Sequence, residues 1–202
     1  PLPGSALSDE KLAELDAAQH ESLARAIAQF FSELHTTDPA ETADFEPIVR
    51  RAVDHVDWLQ AGITQHLRGV KPEQECTAFE QFLPLLHTTM AQAPVQVVLH
   101  GDFGLDAVLY DQDTDQTSVV DFSNWAIGDP ALDFGGLTWS APQLSKAVLG
   151  HYNMRDVAGD VLARDVVYNK MVAAGLMIHA RLGADISLDD ARADFRGRFG
   201  LE

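Results

Sequence analysis

Apolar residues recur at helical steps along most of the chain. Leu12, Leu15, Leu23, Ile27, Phe30 and Leu34 share one helical face. Ser8 precedes them as an N-cap, with Asp9 and Glu10 in the first turn, where carboxylates complement exposed N–H groups. The pattern predicts one helix running to about His35 and closed by Asp38-Pro39. A second amphipathic run opens at Pro47, a good first helical position, and carries Ile48, Ala52, Val56, Leu59, Ile63 and Leu67. Gly69 and Pro72 separate it from a third, with Phe79, Phe82, Leu83, Leu86 and Met90, which Pro84 should kink or split.

From Pro94 the period changes. Residues 95–100 form a short apolar, β-branched run that ends in His-Gly-Asp. Residues 107–110 and 118–122 are two more, joined across 111–117 by a polar stretch with turn chemistry. After Asp129-Pro130 the pattern is helical again, over 143–152, 157–182 and 189–199. The expected architecture is α+β and mostly α-helical, with a short β-hairpin that concentrates the chemistry.

Pairing Tyr110 with Ser118 in that hairpin sets Ala107 opposite Asp121 and brings Asp102 close to Asp121. Two carboxylates at strand ends suit a hydroxyl-activating base beside a magnesium ligand. Taken singly, each reads more readily as a turn residue.

Charge narrows the partners. The 202 residues carry 14 basic and 31 acidic side chains, a formal net charge of −17. That excludes the clustered Lys and Arg of a nucleic-acid binder, and docking on an anionic membrane. It would welcome a cationic small molecule, though solubility alone also accounts for it. The single cysteine, Cys76, excludes an intrachain disulfide and reads as structural. No apolar run approaches the roughly 20 residues of a membrane helix, and no signal peptide opens the sequence. A cytoplasmic protein is expected.

The order His100-Gly101-Asp102, four residues, hairpin, Asp121-Phe122, then Gly128-Asp129-Pro130 with Asp133-Phe134 resembles the aminoglycoside phosphotransferase and choline kinase-like superfamily. Macrolide phosphotransferases are similar. The resemblance covers nearly the whole chain, including Leu-His-Thr-Thr-Asp at 34–38. It implies the C-terminal lobe of a protein kinase-like fold over residues 1–202, and an ATP-dependent phosphotransferase acting on a small hydroxylated molecule, cationic ones among the candidates. Asp102 would orient and deprotonate the substrate hydroxyl, and Asp121 would hold magnesium against the ATP phosphates. His100 is implied to be structural beneath the loop. Asp133 either braces that loop through backbone N–H groups or caps a helix. Phe122 and Trp125 read as core.

Two departures stand out. The superfamily's metal-binding Asn is replaced by Ala107, whose methyl cannot ligate magnesium. Asp106, Asn124 or Ser123 are the residues that could reach the metal or phosphates instead. A Gly-rich phosphate loop and a strand Lys are also missing, so the N-terminal ATP-binding lobe is absent from this chain and the fragment alone should be inactive. The alternative function is a pseudokinase or binding domain without turnover.

Overall fold

The computed structural model describes residues 2–42, 50–67 and 73–201. Strand β1 (Ser5–Ala6) leads into α1 (Asp9–Glu14) and α2 (Ala17–Thr36). The expected single helix is therefore two. Asp16 accepts the N–H groups of Ala18 and Gln19 at 2.8 and 2.9 Å, and the Gln19 side chain accepts the Asp16 N–H at 3.0 Å. This reciprocal cap starts a new helix, and Leu15 before it is extended.

Strand β2 (Arg50–Arg51) runs into α3 (Ala52–Gly62), followed by a wide turn over Ile63–Leu67. Pro47, Ile48, Gly69 and Pro72 lie outside the described residues. Helix α4 (Glu73–Ala91) carries Pro84 inside it and is not split. Its apolar face buries Cys76, Phe79 and Leu86.

Two short strands and a hairpin follow. The 95–100 run is strand only over β3 (Val97–Leu99). A 3-10 turn, Leu105–Ala107, opens β4 (Val108–Asp111), which pairs antiparallel with β5 (Gln116–Val119). The register differs by one residue from the expected one: Ser118 pairs with Leu109, and Tyr110 with Thr117. Ala107 then meets Val120, whose N–H donates to its carbonyl at 2.9 Å, rather than Asp121. The turn sets this register. Asp111 accepts the N–H groups of Asp113 and Thr114, and Asp115 adopts φ +55° with its carboxylate bonded by the Tyr110 hydroxyl at 2.7 Å. A second 3-10 turn (Phe122–Asn124) precedes β6 (Ala126–Gly128), which lies between β2 and β3. The sheets are thus β1-β4-β5 and β2-β6-β3.

The rest is helical: α5 (Ala131–Ser140), α6 (Pro142–His151), α7 (Arg155–Ala158), α8 (Val161–Arg181) and α9 (Leu188–Phe199). The expected 157–182 helix is broken where Gly159 takes φ +68° and Asp160 caps α8 by accepting the Ala163 N–H. Helix α8 packs on α5 and α9, and Tyr168, Phe134, Phe31, Phe79 and Phe195 are fully buried around it. Phe122 is not core. It stays 41% exposed, its ring 4.8 Å from that of His100. No helix among the described residues is long and apolar enough to cross a membrane.

Candidate active site

The loop between β3 and β4 holds His100, Asp102 and Asp106. Gly101 sits there at φ +86°, and a Cβ on it would strike the Asn124 carbonyl, so the turn that presents Asp102 requires glycine. Asp133, the third residue of α5, is fully buried and accepts the backbone N–H of both His100 and Gly101 at 2.8 Å. Its Oδ2 also faces His35 Nε2 at 3.1 Å, and His35 Nδ1 lies 2.8 Å from the Tyr152 hydroxyl. With His35 Nε2 donating to Asp133, the Tyr152 hydroxyl donates to Nδ1. Burial first, then the charges of Asp133 and Asp129, push the Tyr152 phenol well above its usual range, which keeps it a donor. Asp133 thus bonds the backbone of the turn that carries Asp102.

His100 is buried and donates from Nε2 to the Val120 carbonyl at 2.9 Å. Its Nδ1 has no partner, and the rings of Phe30, Phe103 and Phe122 surround it.

Asp102 is exposed at its tip, and Asn124 Nδ2 donates to its Oδ2 at 3.0 Å. Desolvation by the packed loop raises the Asp102 pKa, with the charges of Asp106 and Asp121 adding to it and the Asn124 hydrogen bond opposing. Asp121 occupies the left-handed region at φ +65°. Its Oδ1 accepts from Ser123 Oγ at 2.7 Å and from the Ser123 N–H, which hold its carboxyl below the usual range. Asp106 is exposed, with Oδ1 folded back over Gly104. Ala107 is buried at 4% exposure.

One buried cluster had no assigned role in the sequence. Asp129 takes a two-pronged ion pair from Arg164, at 2.6 and 3.0 Å, and a hydrogen bond from the Tyr168 hydroxyl at 2.9 Å. It joins the start of α5 to α8. The Gly-Asp-Pro motif marked Asp129, but nothing local marks a partner 35 residues away.

A cleft of about 510 Å³ opens beside Asp102 and Asp106, bordered by the start of α1 and by α5, α8 and α9.

With this geometry in place, the comparisons decide the family. Residues 1–163 match the Phosphotransferase enzyme family, APH. The chain belongs to this family. No curated protein sequence matches it significantly. Among solved structures, the GDP complex of wild-type aminoglycoside 2'-phosphotransferase-IIIa is similar at 15% identity and a TM-score of 0.82, over 99% of this chain and 69% of that one. A macrolide 2'-phosphotransferase type I matches at 19% identity and a TM-score of 0.63, covering 96% and 64%. An aminoglycoside-3'-phosphotransferase of type VIII matches at 22% and 0.59, covering 84% and 64%. These likenesses establish the fold: this APH chain has the mostly helical α+β architecture of the C-terminal lobe of a kinase-like fold.

Proposed function

We propose that this chain is the catalytic and substrate-binding lobe of an ATP-dependent phosphotransferase acting on a small hydroxylated, cationic molecule. The observation that carries the reading is the Asp102–Asn124 hydrogen bond on a loop braced by Asp133, with Asp121 presented just across it. A base for a hydroxyl must be fixed in direction, and these contacts fix it. Its raised pKa makes Asp102 a better proton acceptor than a solvated carboxylate.

Magnesium takes oxygen ligands and typically one or two carboxylates, the rest being water and phosphate. The donor set fits that demand. Asp121 spends one oxygen on Ser123, and Asn124 spends its amide nitrogen on Asp102, leaving Asn124 Oδ1 for a cation. Asp106 is the auxiliary contact, and Ala107 supplies no ligand. When bound, ATP and magnesium supply the activated phosphoryl group and the charge that neutralises it. Asp102 would orient the substrate hydroxyl and receive its proton as the oxygen bonds the γ-phosphorus and the bond to the departing ADP breaks. Asp121 holds the cation. His100 and Asp133 keep the two carboxylates in register.

A Gly-rich phosphate loop and a strand Lys are missing from the sequence, so we assign nucleotide capture to an N-terminal lobe outside these residues. Transfer of labelled γ-phosphate to a panel of hydroxylated amines, with that lobe present, tests the reading. A phosphorylated amine is the expected product, and its absence under every donor overturns the proposal. Buried Ala107 favours the second reading, a binding domain without turnover, which predicts substrate binding and no transfer.

A further inference from the structure

The cleft beside Asp102 is chemically divided. The loop and the start of α1 contribute Asp102, Asp106, Asp9 and Glu10, and the Ser8 hydroxyl holds the Glu10 carboxyl below its usual range. Helices α5 and α8 contribute Leu132, Trp139, Val172 and Leu176. Trp139 is 47% exposed, although an indole of this size normally gains much by burial.

Its exposure is built in. The Arg198 guanidinium stacks 4.7 Å from the indole centre. Arg198 is itself clamped, donating from Nε to Asp194 Oδ1 at 3.0 Å and to the Asn169 carbonyl at 3.1 Å, with its side chain only 8% exposed. Gly197 beside it lies close to the same ring, where an added Cβ would just touch the indole edge. An indole gripped this way on one side and open to a cleft on the other is a stacking surface.

We propose that Trp139 is the specificity-determining residue of this cleft, selecting an amphipathic amino alcohol. Such a ligand sets its hydroxyl and ammonium against the carboxylates and an apolar ring against the indole. A wholly polar amino sugar fits less well, because its hydroxyls would lose water against Leu132, Val172 and Leu176 without gaining partners. This inference rests on the phosphotransferase reading for the site's location and deepens it by naming the substrate class.

Equilibrium titration of the purified protein without nucleotide tests it. The probes are an amino diol bearing a phenyl ring, the same amino diol without the ring, and kanamycin as a wholly polar polycation. The ring-bearing compound is expected to bind about tenfold tighter than its ringless partner, the scale of one good aromatic contact. Trp139→Ala should abolish that difference between the two amino diols. Trp139→Phe should preserve most of it, and Val172→Thr, equal in shape, should reduce it several-fold. Equal binding of the two amino diols, or a preference that survives Trp139→Ala, overturns the proposal. Because the readout needs no turnover, an intact ring preference without phosphotransfer would refute only the enzymatic reading.

Discussion

His100 donates from Nε2 to the Val120 carbonyl at 2.9 Å, tying the residue two before Asp102 to the residue just before Asp121. The two carboxylates come from different sides of the hairpin, and this bond sets one against the other. His100→Phe keeps the ring packing and removes the donor, leaving a half-buried carbonyl unpaired. A loss of about 1–3 kcal/mol is expected. At 2–4 °C per kcal/mol for a chain of this size, thermal melting should fall by roughly 2–12 °C. Turnover should fall more than stability alone explains. A variant that melts and turns over like the parent would show that the bond positions nothing.

The Asp129–Arg164 pair should be the costliest ion pair to break. Asp129 is 2% exposed at its side chain and Arg164 15%. Arg164→Leu strands a buried carboxylate and is expected to cost about 3–5 kcal/mol in urea unfolding. Arg25 and Glu21, also paired at 2.5 Å, lie on the surface at 61% and 48% exposure. Arg25→Leu should cost no more than about 1 kcal/mol. Equal costs would contradict the burial argument.

Asp165 makes stability depend on pH. It is fully buried, accepts from Thr138 Oγ1 at 2.5 Å through one oxygen, and has no partner for the other. Thr138 spends its proton there, so Ser145 donates to Thr138 at 2.7 Å. Burial raises the Asp165 pKa from 3.8 to about 6, outweighing the Thr138 hydrogen bond. The folded state therefore holds this proton more tightly than the unfolded one. Its stabilisation is complete below the unfolded value of 3.8 and is lost as pH rises through about 6. On the order of 2–3 kcal/mol is at stake, at 1.36 kcal/mol per unit. Asp165→Asn should flatten urea stability between those limits and raise it at neutral pH. An unchanged pH slope would contradict this.

The legible parts of this fold were those encoded locally. Leu23, Ile27, Phe79 and Leu86 repeat at helical spacing, and each is fully buried. The capping signal at Asp16 and Gln19 was present too, but the apolar face runs straight through it and masked the break. Hairpin register depends on the backbone of the 112–115 turn, where Asp115 enters the left-handed region, and no alternation pattern reports that. Asp102, Asp121 and Asp133 stood out because short motifs mark them. The Asn124 bond to Asp102, the His35–Asp133 contact and the Arg164 pair are products of packing, spanning 22, 98 and 35 positions.

The most direct test separates the two carboxylates in a protein that joins this lobe to the proposed nucleotide-binding lobe. Asp102→Asn keeps the shape and can still contact Asn124, but it cannot take a proton. Turnover should fall about 10²–10⁴-fold, the usual worth of a general base. Magnesium-dependent nucleotide binding, read by calorimetry, should stay within about twofold, because the proposed role of Asp102 is on the hydroxyl, whereas Asp121→Asn should weaken that binding about 10-fold or more. An Asp102→Asn protein with near-parental turnover would contradict the account and reduce Asp102 to a turn residue.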